Sequence, residues 1–147
     1  MQTEEKKEVI VALLPSEAYW CKQDRPHVTI AYLGETKDLS TTIFNEVAKD
    51  AASISMLTDP FMVKVIGTDI FGDEEKVKVL LLTHTSELMA IRKLLEDWEI
   101  NDRPYVPHAT IGPEDSFIET PSPMFLTFNR IAVYWGEDEI VFNLRKL

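Results

Sequence analysis

Two stretches decide how this chain is read: Asp24-Arg25-Pro26-His27-Val28-Thr29-Ile30 and Asp102-Arg103-Pro104-Tyr105-Val106-Pro107-His108-Ala109-Thr110-Ile111. Each opens on Asp-Arg-Pro and closes on Pro-His-x-Thr-Ile. The chain holds three histidines, and two of them stand at matching places in this echo, 81 residues apart. Side chains on a strand alternate faces. His27 and Thr29 therefore share one face, and Val28 and Ile30 the other. His108 and Thr110 are set against Ala109 and Ile111 in the same way. The apolar pair of each motif suits packing under a helix, which turns the imidazole and hydroxyl to the opposite surface. A repeat at half the chain length predicts two strand-and-helix lobes about a pseudo-two-fold axis. Such lobes bring two imidazoles and two hydroxyls face to face across a cleft.

The surrounding pattern alternates strands and helices. Residues 8–14 read as a buried strand ended by Pro15, and residues 27–33 as a second strand closed by Gly34. Residues 40–54 read as a helix, with Ile43, Phe44, Val47, Ala48 and Ala51 at three- and four-residue spacing and Ser40 as N-cap. Residues 61–70 and 76–83 form a hairpin around Gly72-Asp73. Residues 86–98 read as a helix that buries Leu88, Ile91, Leu94, Leu95 and Trp98, capped by Ser86 or Thr85. Residues 104–111 are a strand, and residues 124–135 and 139–145 a last hairpin around Gly136-Glu137-Asp138. Pro121-Ser122-Pro123 fall in a loop internal to the domain. The predicted fold is α+β: one domain over residues 1–147, built of two intertwined lobes with antiparallel sheets flanked by helices.

Composition narrows the function. The chain has 147 residues, a hydrophobic fraction of 45% and a formal net charge of -10. The first two values suit a folded domain with a real core. The acidity is spread over both halves. It counts against a coat for long nucleic acid, because such proteins place Lys and Arg on phosphates. Cys21 is the single cysteine, so no internal disulfide forms and a reducing compartment fits. The longest clean apolar run, Val9 to Leu14, is too short to span a bilayer, and the N-terminal residues lack a secretory pattern. A cytoplasmic monomer without membrane attachment is expected.

The paired motif suits phosphoryl transfer. In-line displacement at phosphorus needs a base on the attacking oxygen and an acid on the leaving one. Histidine plays either part near neutral pH, and threonine hydroxyls donate to non-bridging oxygens. These residues resemble the two His-x-Thr-hydrophobic motifs of the 2H phosphoesterase superfamily, which includes LigT-like "2′-5′ RNA ligases", 2′,3′-cyclic phosphodiesterases and phage nucleases that destroy cyclic oligonucleotide signals. His27 to Glu35 is similar to the first motif with its trailing Leu-Gly. Tyr105-Val106-Pro107-His108 is similar to the aromatic-x-Pro-His lead-in of the second. The resemblance implies a bilobal fold, catalysis without a metal, and His27, Thr29, His108 and Thr110 in a central cleft. Two departures stand out. Only residues 15–26 separate the first strand from its motif, and Gly112-Pro113-Glu114 follow the second motif where LigT-like members often carry Arg.

Further candidates flank the motifs. Tyr105 and Trp20 are candidates to stack on a nucleobase. Lys22, Arg25 and Arg103 are the cations nearest the motifs and candidates for a phosphate, with surface ion pairs to Asp24 and Asp102 as the alternative. His84, at a strand-to-helix junction, reads as structural. Three histidines and one cysteine in no ligand-like spacing predict no zinc site, and no other cofactor is expected. The expected activity is a metal-independent phosphodiesterase acting on a small nucleotide or short oligonucleotide, whether 2′,3′-cyclic, 2′-5′-linked or cyclic. A phage-type nuclease for cyclic nucleotide signals and a non-catalytic nucleotide-binding module are the alternatives. Which histidine is base stays open, with His108 preferred for hydrolysis.

Overall fold

A computed structural model describes residues 7–116 and 123–145. The strands are β1 (Glu8–Pro15), β2 (Val28–Glu35), β3 (Phe61–Phe71), β4 (Val77–Leu82), β5 (His108–Pro113), β6 (Phe125–Trp135) and β7 (Asp138–Asn143). The helices are α1 (Thr41–Leu57) and α2 (Ser86–Leu94). All pairs are antiparallel. The order is β2-β1-β6-β3-β4-β5, with β7 beside β6. The α+β expectation therefore holds, and the two motif strands lie at opposite ends of the sheet.

The sheet bends in the middle. Phe61 to Lys64 of β3 pair with β6, whereas Val65 to Phe71 pair with β4, and the register shifts between Val65 and Gly67. One strand thus serves both halves. Val28, Ile30, Ala109 and Ile111 are all fully buried in a single apolar cluster that also takes Val11 and Leu13 of β1, Val47 and Ala51 of α1, and Leu88 and Ile91 of α2. Alternation holds at both motifs: the buried pair anchors each strand, and the His and Thr faces are left for the cleft.

Caps set the helix starts. Ser40 Oγ accepts from the Ile43 amide at 3.4 Å, and Thr85 Oγ1 from the Leu88 amide at 3.3 Å. Ser86 instead donates to Glu87. The expected apolar face of the second helix is corrected at Leu94, which is 64% exposed. The α-helix ends there and tightens into a 3-10 turn over Glu96–Trp98, which hands the inner positions to Leu95 and Trp98. The expected strand over 104–111 starts only at His108, because Pro104 and Pro107 lack the amide a ladder needs. Pro121 and Ser122 lie outside the described residues. Among the described residues no helix is long and apolar enough to cross a membrane.

Terminal strands leave backbone groups without a strand neighbour. On β2, groups of the other half take them up. Thr29 O accepts from Tyr105 Oη at 2.6 Å, and Ile30 O from the Arg92 guanidinium. Tyr32 O accepts from the Ile100 amide at 3.0 Å, and Tyr32 N donates to Glu99 Oε1 at 3.1 Å. On β5, Ile111 O accepts from the Lys22 amide at 2.7 Å, and Thr110 O from the Cys21 thiol at 3.5 Å. The Arg92–Glu99 ion pair is the hinge of this closure, with side chains only 15% and 9% exposed. Arg92→Met leaves the Ile30 carbonyl without its donor and the Glu99 carboxylate without its counter-charge, held only by the Tyr32 and Asn101 amides. It should cost about 3–5 kcal/mol in urea unfolding, and Arg92→Met with Glu99→Gln should cost less than Arg92→Met alone.

Candidate active site

His27 immediately precedes β2, and His108 opens β5. The two imidazoles are held alike. His27 Nδ1 lies 2.5 Å from Arg25 O, and His108 Nδ1 lies 2.8 Å from Val106 O. A carbonyl only accepts, so in each ring Nδ1 carries the proton and Nε2 presents the lone pair when neutral. The motif prolines explain the match. Pro26 and Pro107 hold the preceding residue extended and fix their own φ, which aims the carbonyl of residue i-2 back at the ring.

Each ring also rests on an aromatic edge. The His27 and Tyr134 centroids lie 5.6 Å apart at 90°, and those of His108 and Phe71 lie 4.7 Å apart at 65°. Neither was singled out in the sequence: Tyr134 fell inside the expected strand 124–135, and Phe71 just past the expected strand 61–70. Their only signal is placement: Phe71 ends β3 beside Gly72, and Tyr134 lies two residues before Gly136. Burial holds the His27 pKa below its ordinary value, against the pull of the Arg25 carbonyl, and the charges of Arg25 and His108 push it lower still. The two imidazoles are therefore close enough to feel each other, as the contact between β2 and β5 requires. Thr29 and Thr110 stand on the same faces as their histidines, opposite Ala12 and Val79 on the neighbouring strands.

A cavity of about 600 Å³ opens against His27, lined also by Lys22, Arg25, Tyr134, Glu8 and Glu35. His108 is outside that lining. The Arg25 guanidinium donates to Gly136 O and Glu137 O, both at 2.9 Å, and lies 4.4 Å from the Tyr134 ring centroid. It clamps the β6–β7 turn and backs the ring that supports His27. Arg103 is exposed and lines no cavity found beside the motifs.

Two expected stacking residues are corrected. Trp20 is fully buried in the core, its Nε1 donating to Glu17 O at 2.6 Å, so no ring face is offered to a base. Tyr105 has one face covered by the Arg92 guanidinium at 4.4 Å, and its hydroxyl is spent on Thr29 O. Burial pushes its phenol far above the ordinary range. Its hydroxyl ties the lead-in of the second motif to the backbone of the first. His84 bonds Tyr105 O at 3.0 Å and steadies the lead-in to the second motif. Among the described residues no group of three His, Cys, Asp or Glu side chains is placed to hold a metal ion.

The two motif strands thus each carry an imidazole with Nδ1 on a backbone carbonyl and a threonine two residues on. The chain belongs to the 2′-5′ RNA ligase superfamily, the 2H phosphoesterases, whose sequence profile matches residues 15–121. It is 29% identical over 98 residues to the RNA 2′,3′-cyclic phosphodiesterase of Bacillus subtilis, a match that takes in 58% of this chain and 50% of that relative. The chain thus spans about half the length of that relative. Its fold superposes on Usb1 of Kluyveromyces marxianus with a TM-score of 0.68 at 8% identity, covering 95% of this chain and 99% of that one. It superposes on apo LigT of E. coli with a TM-score of 0.59 at 18% identity, covering 97% and 96%. LigT has also been solved complexed with 3′-AMP and with ATP.

Tyr105→Phe removes the donor to Thr29 O and keeps the ring. It should cost about 1–3 kcal/mol in urea unfolding and lower turnover by loosening Thr29. Trp20→Ala, which empties the core under the 16–27 segment, should cost about 3–5 kcal/mol.

Proposed function

We propose that the chain is a metal-independent phosphodiesterase that opens the 2′,3′-cyclic phosphate of a small nucleotide or short oligonucleotide. The observation that carries this reading is the matched presentation of Nε2 by His27 and His108. The name of the Bacillus relative and the nucleotides bound by LigT support the substrate class.

His27 is the base. Its lowered pKa keeps it neutral near pH 7, so Nε2 is ready to take a proton from water. We therefore assign the base to His27 rather than to His108, the preference drawn from the sequence. Water attacks phosphorus as His27 takes its proton. The bond from phosphorus to one ribose oxygen breaks, and His108 delivers a proton to that oxygen. Thr29 and Thr110 hydroxyls donate to the non-bridging oxygens, where charge accumulates. The product is a nucleotide with an open phosphomonoester.

Turnover of 2′,3′-cyclic mononucleotides, followed by chromatography, tests the roles. His27→Ala and His108→Ala should each lower kcat/KM by about 10²–10⁴-fold with unchanged circular dichroism. Near-native rates in both variants overturn the mechanism. Activity should persist in EDTA, and its collapse would refute the metal-free claim. A parallel panel of 2′-5′ and 3′-5′ oligonucleotides and cyclic dinucleotides identifies the preferred linkage.

The lowered pKa of His27 also sets a pH dependence. Above its unfolded value of about 6.5 the ring is neutral in both states and contributes no difference. As pH falls below that value the unfolded chain takes up the proton first, so stability is lost until pH passes the folded pKa. The acid limb of kcat/KM should lie below pH 6.5 for the same reason. His27→Gln should flatten the stability loss in that window, as read from thermal midpoints across pH.

A further inference from the structure

We propose that Lys22 is the cation that meets the substrate phosphate, delivered to the second motif strand over the bare face of Gly112. The inference rests on the reading above that a phosphate sits between His27 and His108. Lys22 belongs to the segment between β1 and β2, yet its amide donates to Ile111 O at 2.7 Å and the neighbouring Cys21 thiol reaches Thr110 O. The residue is therefore docked beside Thr110. Its side chain lines the cavity that opens on His27. One residue thus bridges the two motifs.

Gly112 makes the crossing possible. A Cβ at that position would lie 3.1 Å from Lys22 Cβ and 3.4 Å from Lys22 Cγ, and 2.8 Å from Ser116 Oγ. A side chain there would press on the lysine stem and displace the Ser116 hydroxyl, the more so the bulkier it is. The absence of a side chain at 112 and the presence of a lysine at 22 are two halves of one arrangement.

The other cations near the site are committed elsewhere. The Arg25 guanidinium is held by two backbone carbonyls and the Tyr134 ring. Lys78 Nζ donates to Ser116 O at 2.9 Å, and Arg92 is paired with Glu99. Lys7 is the exception: it lines the same cavity from the Glu8 end of β1, whereas Val28 of the first motif pairs with Leu13 at the other end. Among the described residues the Lys22 ammonium makes no hydrogen bond or ion pair. Charge builds on the non-bridging oxygens during displacement, and a lysine ammonium is a compact point charge that can follow it.

The test uses kcat/KM on a 2′,3′-cyclic mononucleotide together with the inhibition constant of inorganic phosphate. Lys22→Ala should lose at least about tenfold in both, as expected for a charge-assisted contact of about 1.4 kcal/mol or more. Lys22→Arg should recover most of the loss. Gly112→Val should reproduce the loss with the lysine still present. Phosphate inhibition should weaken with added salt in the native protein and less so in Lys22→Ala. Lys22→Ala within twofold of native in both measurements overturns the assignment. If His27→Ala and His108→Ala are impaired while Lys22→Ala is silent, only the Lys22 assignment falls. If the histidine variants are silent too, the functional reading falls with it.

Discussion

A sheet that does not close has two edges, and in this protein each edge carries one of the two His-x-Thr motifs. β2 and β5 are the terminal strands, so each has backbone groups with no strand beside them. Those groups are satisfied across the cleft by side chains and amides of the other half: Tyr105 and Arg92 on β2, Lys22 and Cys21 on β5. An open edge is ordinarily a liability that a protein covers. Here the covering contacts also set the distance between the motifs. Thr29 is placed by a hydroxyl from the lead-in to His108, and Thr110 by the segment that leads to His27. Each motif is positioned by the neighbourhood of the other, so the cleft and the fold are stabilised by the same bonds.

Within that frame the motif residues divide the work. Proline aims a carbonyl at Nδ1, the carbonyl selects the tautomer, and the tautomer leaves the Nε2 lone pair clear of that contact. The aromatic edges of Tyr134 and Phe71 restrain the rings without competing for hydrogen bonds. The buried hydrophobic residues at alternate positions keep the strands from rotating. The one asymmetry is burial. His27 sits deeper, beside Arg25 and within reach of the His108 charge, and this keeps it neutral.

Much of this was legible in the residues because it is local or repeated. Alternation from His27 to Ile30 and from His108 to Ile111, the cap at Ser40 and the glycine turns are read from a few neighbouring positions. The misreadings share a different origin. Trp20 and Tyr105 are aromatic and close to the motifs in sequence, but their fate depends on what the other half offers: a core pocket for Trp20, a carbonyl and a guanidinium for Tyr105. Leu94 follows Ile91 at three-residue spacing, but the buried face passes through its neighbour Leu95 instead. Tyr134 and Phe71 meet the histidines across the sheet from strands distant in sequence, and no short pattern records that pairing. The acidity of -10 gains a structural setting as well. Most cations around the cleft are spent on backbone carbonyls and ion pairs, which suits a small phosphate better than a long polyanion.

The protein holds only three histidines, so nitrogen-15 NMR of the imidazoles during a titration with inorganic phosphate reports the site directly. A shared phosphate predicts that the Nε2 signals of His27 and His108 shift together with one apparent affinity, while His84 stays fixed. Movement of only one of the pair, or two separate affinities, would contradict a site built from both motifs.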